Sequence, residues 1–277
     1  MLSFVDSTSG VALDLPAGTA TGDGADQVVG EVERILGSNV DDVLVGTDAD
    51  EQIYGYGGRD HIDGGGGDDY LDGASSYDNG NPGLAETDGN VLIGGRGNDN
   101  MLGSGGDDIM RGGPGRDSLE PGLGLDQVRG GPGRDQLSDN VSAGEGQLLS
   151  GGPGSDTLEL FFGPGGHQVF RDAVVRVDLG AGTARARSGT TTVRVRVPGL
   201  ESISATFGKR WFVRGTDGPD EIFTRARVPI VARGLIRPPG RASTTGQWAC
   251  ASRVTAAATR SSVAVRATRT CWRPAAP

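Results

Sequence analysis

A nine-residue phrase recurs along this chain, Gly-Gly-x-Gly-x-Asp-x-(apolar)-x. Its fullest copy is Gly112-Gly113-Pro114-Gly115-Arg116-Asp117-Ser118-Leu119-Glu120. Four copies run without a gap through 37–72 and five through 94–138, with single copies at 151–159 and 215–223. Position six reads Asp42, Glu51, Asp60, Asp69, Asp99, Asp108, Asp117, Asp126, Asp135, Asp156 and Asp220. Position eight reads Leu44, Ile53, Ile62, Leu71, Met101, Met110, Leu119, Val128, Leu137, Leu158 and Ile222. Acid and apolar side chain keep phase across eleven copies, which chance does not produce. A fixed short period of this kind is the sequence signature of a solenoid.

Each copy divides into two halves. Six glycine-rich residues must turn, because glycine tolerates positive φ and lets carbonyl oxygens converge. The last three residues form a short strand whose apolar position eight faces inward and whose neighbours face out. Two copies then complete one coil, so each loop stacks on the loop two copies later, and neighbouring strands lie about 4.8 Å apart.

Two longer copies, 82–93 and 139–150, are each twelve residues long and keep the strand but not the acid. Asn90 and Gln147 stand in its place. Residues 73–81 read as an irregular surface bulge. A larger repeat frames the array: Val11-Ala12-Leu13-Asp14-Leu15-Pro16-Ala17-Gly18-Thr19-Ala20 matches Val175-Arg176-Val177-Asp178-Leu179-Gly180-Ala181-Gly182-Thr183-Ala184. The alternation Val-x-Val-Asp-Leu reads as a hairpin strand leading into the roll.

The expected fold is therefore all-β. It is a parallel β-roll over 37–159, with irregular insertions at 73–93 and 139–150. A hairpin-like lead-in unit occupies 1–36, and a second lead-in unit plus the isolated copy occupies 160–223. A basic, cysteine-containing tail, expected as a small β-hairpin, takes 224–277. Pairing 247–258 with 263–272 about a turn at Arg260-Ser261 sets Cys250 opposite Cys271, Val254 opposite Ala267, Ala256 opposite Val265 and Ala258 opposite Val263. A cross-strand disulfide, in an oxidising setting, is one expectation there; a disordered basic tail lying against the acidic roll is the other.

Composition sharpens the problem this fold must solve. Glycine supplies 50 of 277 residues and aromatics only 5%. Side-chain burial alone does not order so flexible a backbone. Residues 1–223 carry all 36 acidic residues against 16 basic ones, a net −20, while 224–277 holds ten Arg and no acid. Stacked carboxylates about 4.8 Å apart repel by about 1 kcal/mol in bulk water and about 3–4 kcal/mol at an effective dielectric of 20. Summed along two ladders, this exceeds a typical domain stability of about 5–15 kcal/mol. A bridging cation with oxygen ligands reverses the sign. Ca²⁺ accepts six to eight oxygens in flexible geometry, backbone carbonyls included, whereas Mg²⁺ demands a tighter octahedron and keeps its waters. Zn²⁺ is argued against by the lack of in-phase His or Cys.

The tandem motif resembles the RTX (repeats-in-toxin) family of secreted bacterial calcium-binding proteins. The resemblance implies a parallel β-roll with several Ca²⁺ ions between stacked loops, ligated by the position-six acids above and by loop carbonyls. Carried onto this chain, the loop residues are Gly55, Gly57, Gly64, Gly66, Gly94, Gly95, Gly97, Gly103, Gly105, Gly112, Gly113, Gly115, Gly130, Gly131 and Gly133. The implied loop pairs are 55–60 on 37–42, 64–69 on 46–51, 112–117 on 94–99, 121–126 on 103–108 and 130–135 on 112–117. The first two depart from the pattern at Val40 and Glu51. The resemblance further implies secretion, and folding on meeting millimolar external Ca²⁺.

Catalytic motifs are missing from the sequence. His61 and His167 are the only histidines, and there is no His-Glu-x-x-His zinc site and no Gly-x-Ser-x-Gly elbow. Lys209 lacks the upstream spacing of a P-loop. The function expected is that of a non-enzymatic extracellular module for structure, secretion or adhesion. The alternative is the non-catalytic C-terminal part of a secreted hydrolase or other exoenzyme. Met1 falls within a repeat-like segment without signal-peptide character, so a longer product or a mis-assigned start is expected. There is no run of 18 apolar residues to span a membrane. The acidic body argues against nucleic acid as a partner of the basic tail, leaving a cell-surface or matrix polymer.

Overall fold

The computed structural model describes residues 1–74, 88–141, 145–162, 173–188, 191–205, 210–216 and 220–224. It also describes the strands Ile230–Arg233, Ile236–Arg237, Cys250–Thr259 and Ser262–Cys271. Every regular element among these residues is a β-strand, and no helix is long and apolar enough to cross a membrane.

Successive copies alternate between two sheets, as a nine-residue half-coil requires. One sheet of eleven strands is parallel throughout and includes Arg34–Leu36, Gln52–Tyr54, Tyr70–Asp72, Asn100–Ser104, Ser118–Gly122, Gln136–Val141 and Thr157–Phe162. The facing sheet stacks Ala12–Asp14, Val43–Val45, His61–Gly66, Val91–Arg96, Ile109–Arg111, Gln127–Arg129 and Glu145–Ser150, again in parallel. The common register is eighteen residues, as in Leu44↔Ile62 and Met101↔Leu119. The five loop pairs expected from the sequence all stack on this offset.

Position eight fills the space between the sheets. From Leu44 to Leu158 these side chains are 0% exposed, and each contributes about 1.5–3 kcal/mol relative to exposure. Leu92 and Leu149 continue the column through the two irregular copies. Leu92 pairs with Ile62 at thirty residues instead of eighteen, and among its described residues the stretch 73–93 supplies the one strand that begins at Val91. Most of the bulge expected at 73–81 lies outside the described residues. Leu137 pairs with Leu158 and Val128 with Leu149, both at twenty-one, so 139–150 adds three residues to a normal half-coil.

The framing repeat is one structural unit used twice. Ala12–Asp14 pairs antiparallel with Thr19–Thr21 (Leu13↔Ala20), and Val174–Asp178 pairs antiparallel with Thr183–Ser188 (Val177↔Ala184). In each, an Asp caps the turn: Asp14 Oδ1 accepts the Ala17 N–H at 2.8 Å and Asp178 Oδ1 the Ala181 N–H at 2.9 Å. Gly18 and Gly182 follow at φ 67° and 61°. The third strand of the second unit, Thr191–Arg196, docks parallel on Glu145–Ser150. Its counterpart, Ala25–Gln27, is the edge of its sheet.

At the far end Cys250–Thr259 pairs antiparallel with Ser262–Cys271. The register is Cys250↔Cys271, Val254↔Ala267, Ala256↔Val265 and Ala258↔Val263, the pairing expected from the alternation of the sequence.

Candidate metal centre

All eleven position-six acids are buried, none more than 3% exposed. The coil brings them into two columns, one ahead of each sheet, and joins them by a repeated bond. Nine of the eleven, all but Glu51 and Asp220, accept the backbone N–H of the residue at the matching place one coil earlier. In one column the Val11 N–H donates to Asp42 Oδ1, Asp42 to Asp60, Asp60 to the Asn90 amide oxygen, Asn90 to Asp108 and Asp108 to Asp126, at 2.7–2.9 Å. In the other the series runs Glu51, Asp69, Asp99, Asp117, Asp135 and Asp156, ending on Glu201 Oε2, at 2.8–3.0 Å. Asn90 thus keeps the ladder continuous without a charge. Glu201, from the second framing unit, closes the other column. Sequence reading had assigned neither residue a place in the site.

The second carboxylate oxygen sorts nine of the eleven copies into two kinds. In copies with Ser or Thr at position two, that residue turns back onto its own acid. The Ser38 N–H and hydroxyl donate to Asp42 at 2.6 and 2.8 Å, and those of Thr216 to Asp220 at 2.9 and 2.8 Å. Ser104 binds Asp108 through its N–H at 2.8 Å, and Thr47 binds Glu51 through its hydroxyl. In the Gly-Gly copies position two instead sits at positive φ, from 99° at Gly65 to 121° at Gly131. Its N–H then donates to the carbonyl of the next coil, as Gly113 does to Gly130 at 2.8 Å. The carboxylates of those five copies are left with a buried Oδ2 that has no hydrogen-bond partner: Asp69, Asp99, Asp117, Asp135 and Asp156.

Position one shows why the motif begins with glycine. A Cβ at Gly112 would fall on Asp117 Oδ2 and close to the Gly130 carbonyl oxygen, and Gly64, Gly94 and Gly130 repeat the arrangement. At position four a Cβ on Gly115 would overlap the Gly97 carbonyl oxygen, and one on Gly133 would overlap that of Gly115. The close approach is therefore at position four, with Gly58, Gly67 and Gly106 in the earlier copies. Gly57, Gly66 and Gly105, singled out from the sequence, hold position three. Gly57 and Gly66 there donate to Ser38 and Thr47 carbonyls at 3.3 and 2.8 Å, while Gly105 is exposed.

Burial sets the electrostatics. It pushes the Asp69 and Asp117 carboxyls up to about 7 and Asp156 to about 6, with neighbouring acids adding to the rise and the ladder N–H opposing it. Asp99 and Asp135 are raised for the same first reason. The position-five acids stay exposed but form a weaker outer ladder: Asp41 accepts from Arg59, Asp50 from Asp68 and Asp107 from Leu125, at 2.7–2.9 Å.

Three further carboxyls outside position six are buried, Asp72, Asp139 and Glu159, and two of them are pushed up. Burial raises Asp72 to about 7, against bonds from the Ala74 N–H and the Tyr70 side chain. Burial also drives Asp139 well up, reinforced by Asp126 and Glu120.

The donor set fits a hard divalent cation. Desolvated carboxylate oxygens without partners are costly unless something positive meets them. Among the described residues no buried side chain is basic. No three His, Cys, Asp or Glu side chains there form a metal-binding group, so main-chain carbonyls have to complete any shell. Carboxylate and carbonyl oxygens without nitrogen or sulfur suit Ca²⁺.

Comparison with known families agrees. Residues 36–79 and 85–119 match the family model for the RTX calcium-binding nonapeptide repeat, in four copies. A search of curated proteins finds no match. The ladder bonds continue unchanged beyond the matched stretch, through Asp135 and Asp156. The stretches 36–79 and 85–119 are RTX calcium-binding nonapeptide repeats, and their described residues build a parallel β-roll.

Proposed function

We propose that this chain is an extracellular calcium-binding β-roll that folds when it meets Ca²⁺ and serves as a structural, secretion or adhesion module without catalytic activity of its own. The observation that carries this reading is the row of buried, partnerless Oδ2 atoms on Asp69, Asp99, Asp117, Asp135 and Asp156. Those five acids, with loop carbonyls, are the principal ion ligands. Asp60 belongs with them by its place in the ladder. Asp42, Glu51, Asp108 and Asp220, already bonded by their position-two residues, and Asp126, bonded by Gln147, contribute less to the repeating loop sites.

Extracellular Ca²⁺ matches the working range of low-affinity oxygen sites, about 10⁻⁴–10⁻³ M. Inside a cell, at far lower Ca²⁺, the same acids keep the array open. The Cys250↔Cys271 register supports an oxidising destination. The basic tail supports contact with an acidic surface polymer.

The test is a far-ultraviolet circular dichroism titration of the full chain with Ca²⁺, and Mg²⁺ in parallel. A β signal that appears with Ca²⁺ and not with equal Mg²⁺ is expected. A chelated sample that keeps its whole β signal and its melting temperature refutes the reading.

A further inference from the structure

One of the two acid columns breaks at a single point, and the break contains an acid that the repeat does not call for. Asp108 donates to Asp126 in the usual way, but the following coil offers Gln147 instead of an acid. The Gln147 Nε2 donates to Asp126 Oδ2 at 3.1 Å, and among the described residues no ladder bond runs from Asp126 to Gln147. In that same twelve-residue copy, position one is Asp139, where most copies have glycine.

Position one is the place whose Cβ falls on the position-six carboxylate of its own copy, as at Gly112 with Asp117 and at Gly130 with Asp135. Asp139 holds that place in a copy whose position six is the buried Gln147, and its carboxyl lies within electrostatic reach of Asp126 and Glu120. It lies in the strand Gln136–Val141, in register with Leu160 of the following coil. Its side chain is 0% exposed, and neither Oδ1 nor Oδ2 has a hydrogen-bond partner.

A buried carboxylate with both oxygens unsatisfied is costly. A proton on Asp139 would remove its charge but still leave its other oxygen without a donor. No basic side chain is buried among the described residues. A divalent cation between Asp139 and Asp126 cancels both charges and uses the two Asp139 oxygens that hydrogen bonds leave idle.

We propose that Asp139 and Asp126 hold a Ca²⁺-class cation inside the roll, in a site made by side chains and separate from the repeating loop sites. Gln147 joins it by a half-turn of its amide, which exchanges Nε2 for Oε1. The longer copy thus replaces a position-six ligand with one from position one. The inference rests on the calcium reading of the array.

Native mass spectrometry of the full chain at saturating Ca²⁺ counts the ions directly. The D139N variant, of unchanged shape, is expected to carry one ion fewer than wild type while its Ca²⁺-induced β signal persists. D139G, which restores the glycine of the other copies, gives the same readout where the amide does not fold. An unchanged ion count in whichever variant folds overturns the proposal. So does failure of both to fold in excess Ca²⁺, because the carboxylate then serves the chain fold and not a separable ion. If wild type itself does not respond to Ca²⁺, the fault lies with the calcium reading of the whole array and not with Asp139 alone.

Discussion

In five copies the first glycine is followed by a second one at positive φ, and in four it is followed by Ser or Thr. That choice decides whether the acid four residues later is answered from within the chain. Ser104 donates its N–H to Asp108 at 2.8 Å and turns its hydroxyl to the same carboxylate, whereas Gly113 leaves Asp117 Oδ2 alone. Ser104→Gly is expected to add Ca²⁺ capacity, read as one more ion per chain by equilibrium dialysis. Asp117→Asn is expected to raise the Ca²⁺ midpoint roughly tenfold, equivalent to about 1.4 kcal/mol. Equal midpoints for Asp117→Asn and wild type would remove Asp117 from the ligand set.

The raised carboxyls also fix a pH dependence. Asp69 and Asp117 at about 7 and Asp156 at about 6 lie above an unfolded value near 3.8. Without ions, their contribution to stability is present below the unfolded value and is lost as pH rises through about 6 to 7. In chelator the chain should show more β structure at pH 5 than at pH 8, by circular dichroism. Ca²⁺ affinity should run the other way, because protons compete for the same oxygens. The reverse order in chelator would contradict the raised carboxyls.

For the strands, the phase of position eight was enough. Leu119 sits at 0% exposure between Met101 and Leu137, so Leu119→Ala is expected to cost about 2–5 kcal/mol in the Ca²⁺-loaded state, measured by thermal melting. The β-roll, its eighteen-residue register and the three-residue surplus of 139–150 were all legible, because period, glycine and apolar phase each specify the same coil. The partition of acids was not. It depends on the sign of φ at position two, which a Ser or Thr signals only once its N–H is seen to turn inward. Asp139 was hidden for another reason: its copy departs from the nine-residue frame, so it was counted as part of an irregularity and not as a ligand. The pairing of Asp14 with Asp178 as turn caps was visible as a repeat, but not that Thr191–Arg196 docks on Glu145–Ser150.

On the scale of the molecule the two columns have a direction. Every ladder N–H points forward along the chain, to an oxygen contributed eighteen to forty-five residues later, as Asp117 relies on Asp135 and Asp156 relies on Glu201. No coil can finish its own bonding with residues already behind it. A nascent or threading chain, delivered from its N-terminus, is thus always one turn short of completion. Truncation from either end is therefore felt differently: loss of a trailing coil strips acid acceptors from the one before it, and loss of a leading coil strips carbonyl acceptors, such as that of Asp42 for the His61 N–H.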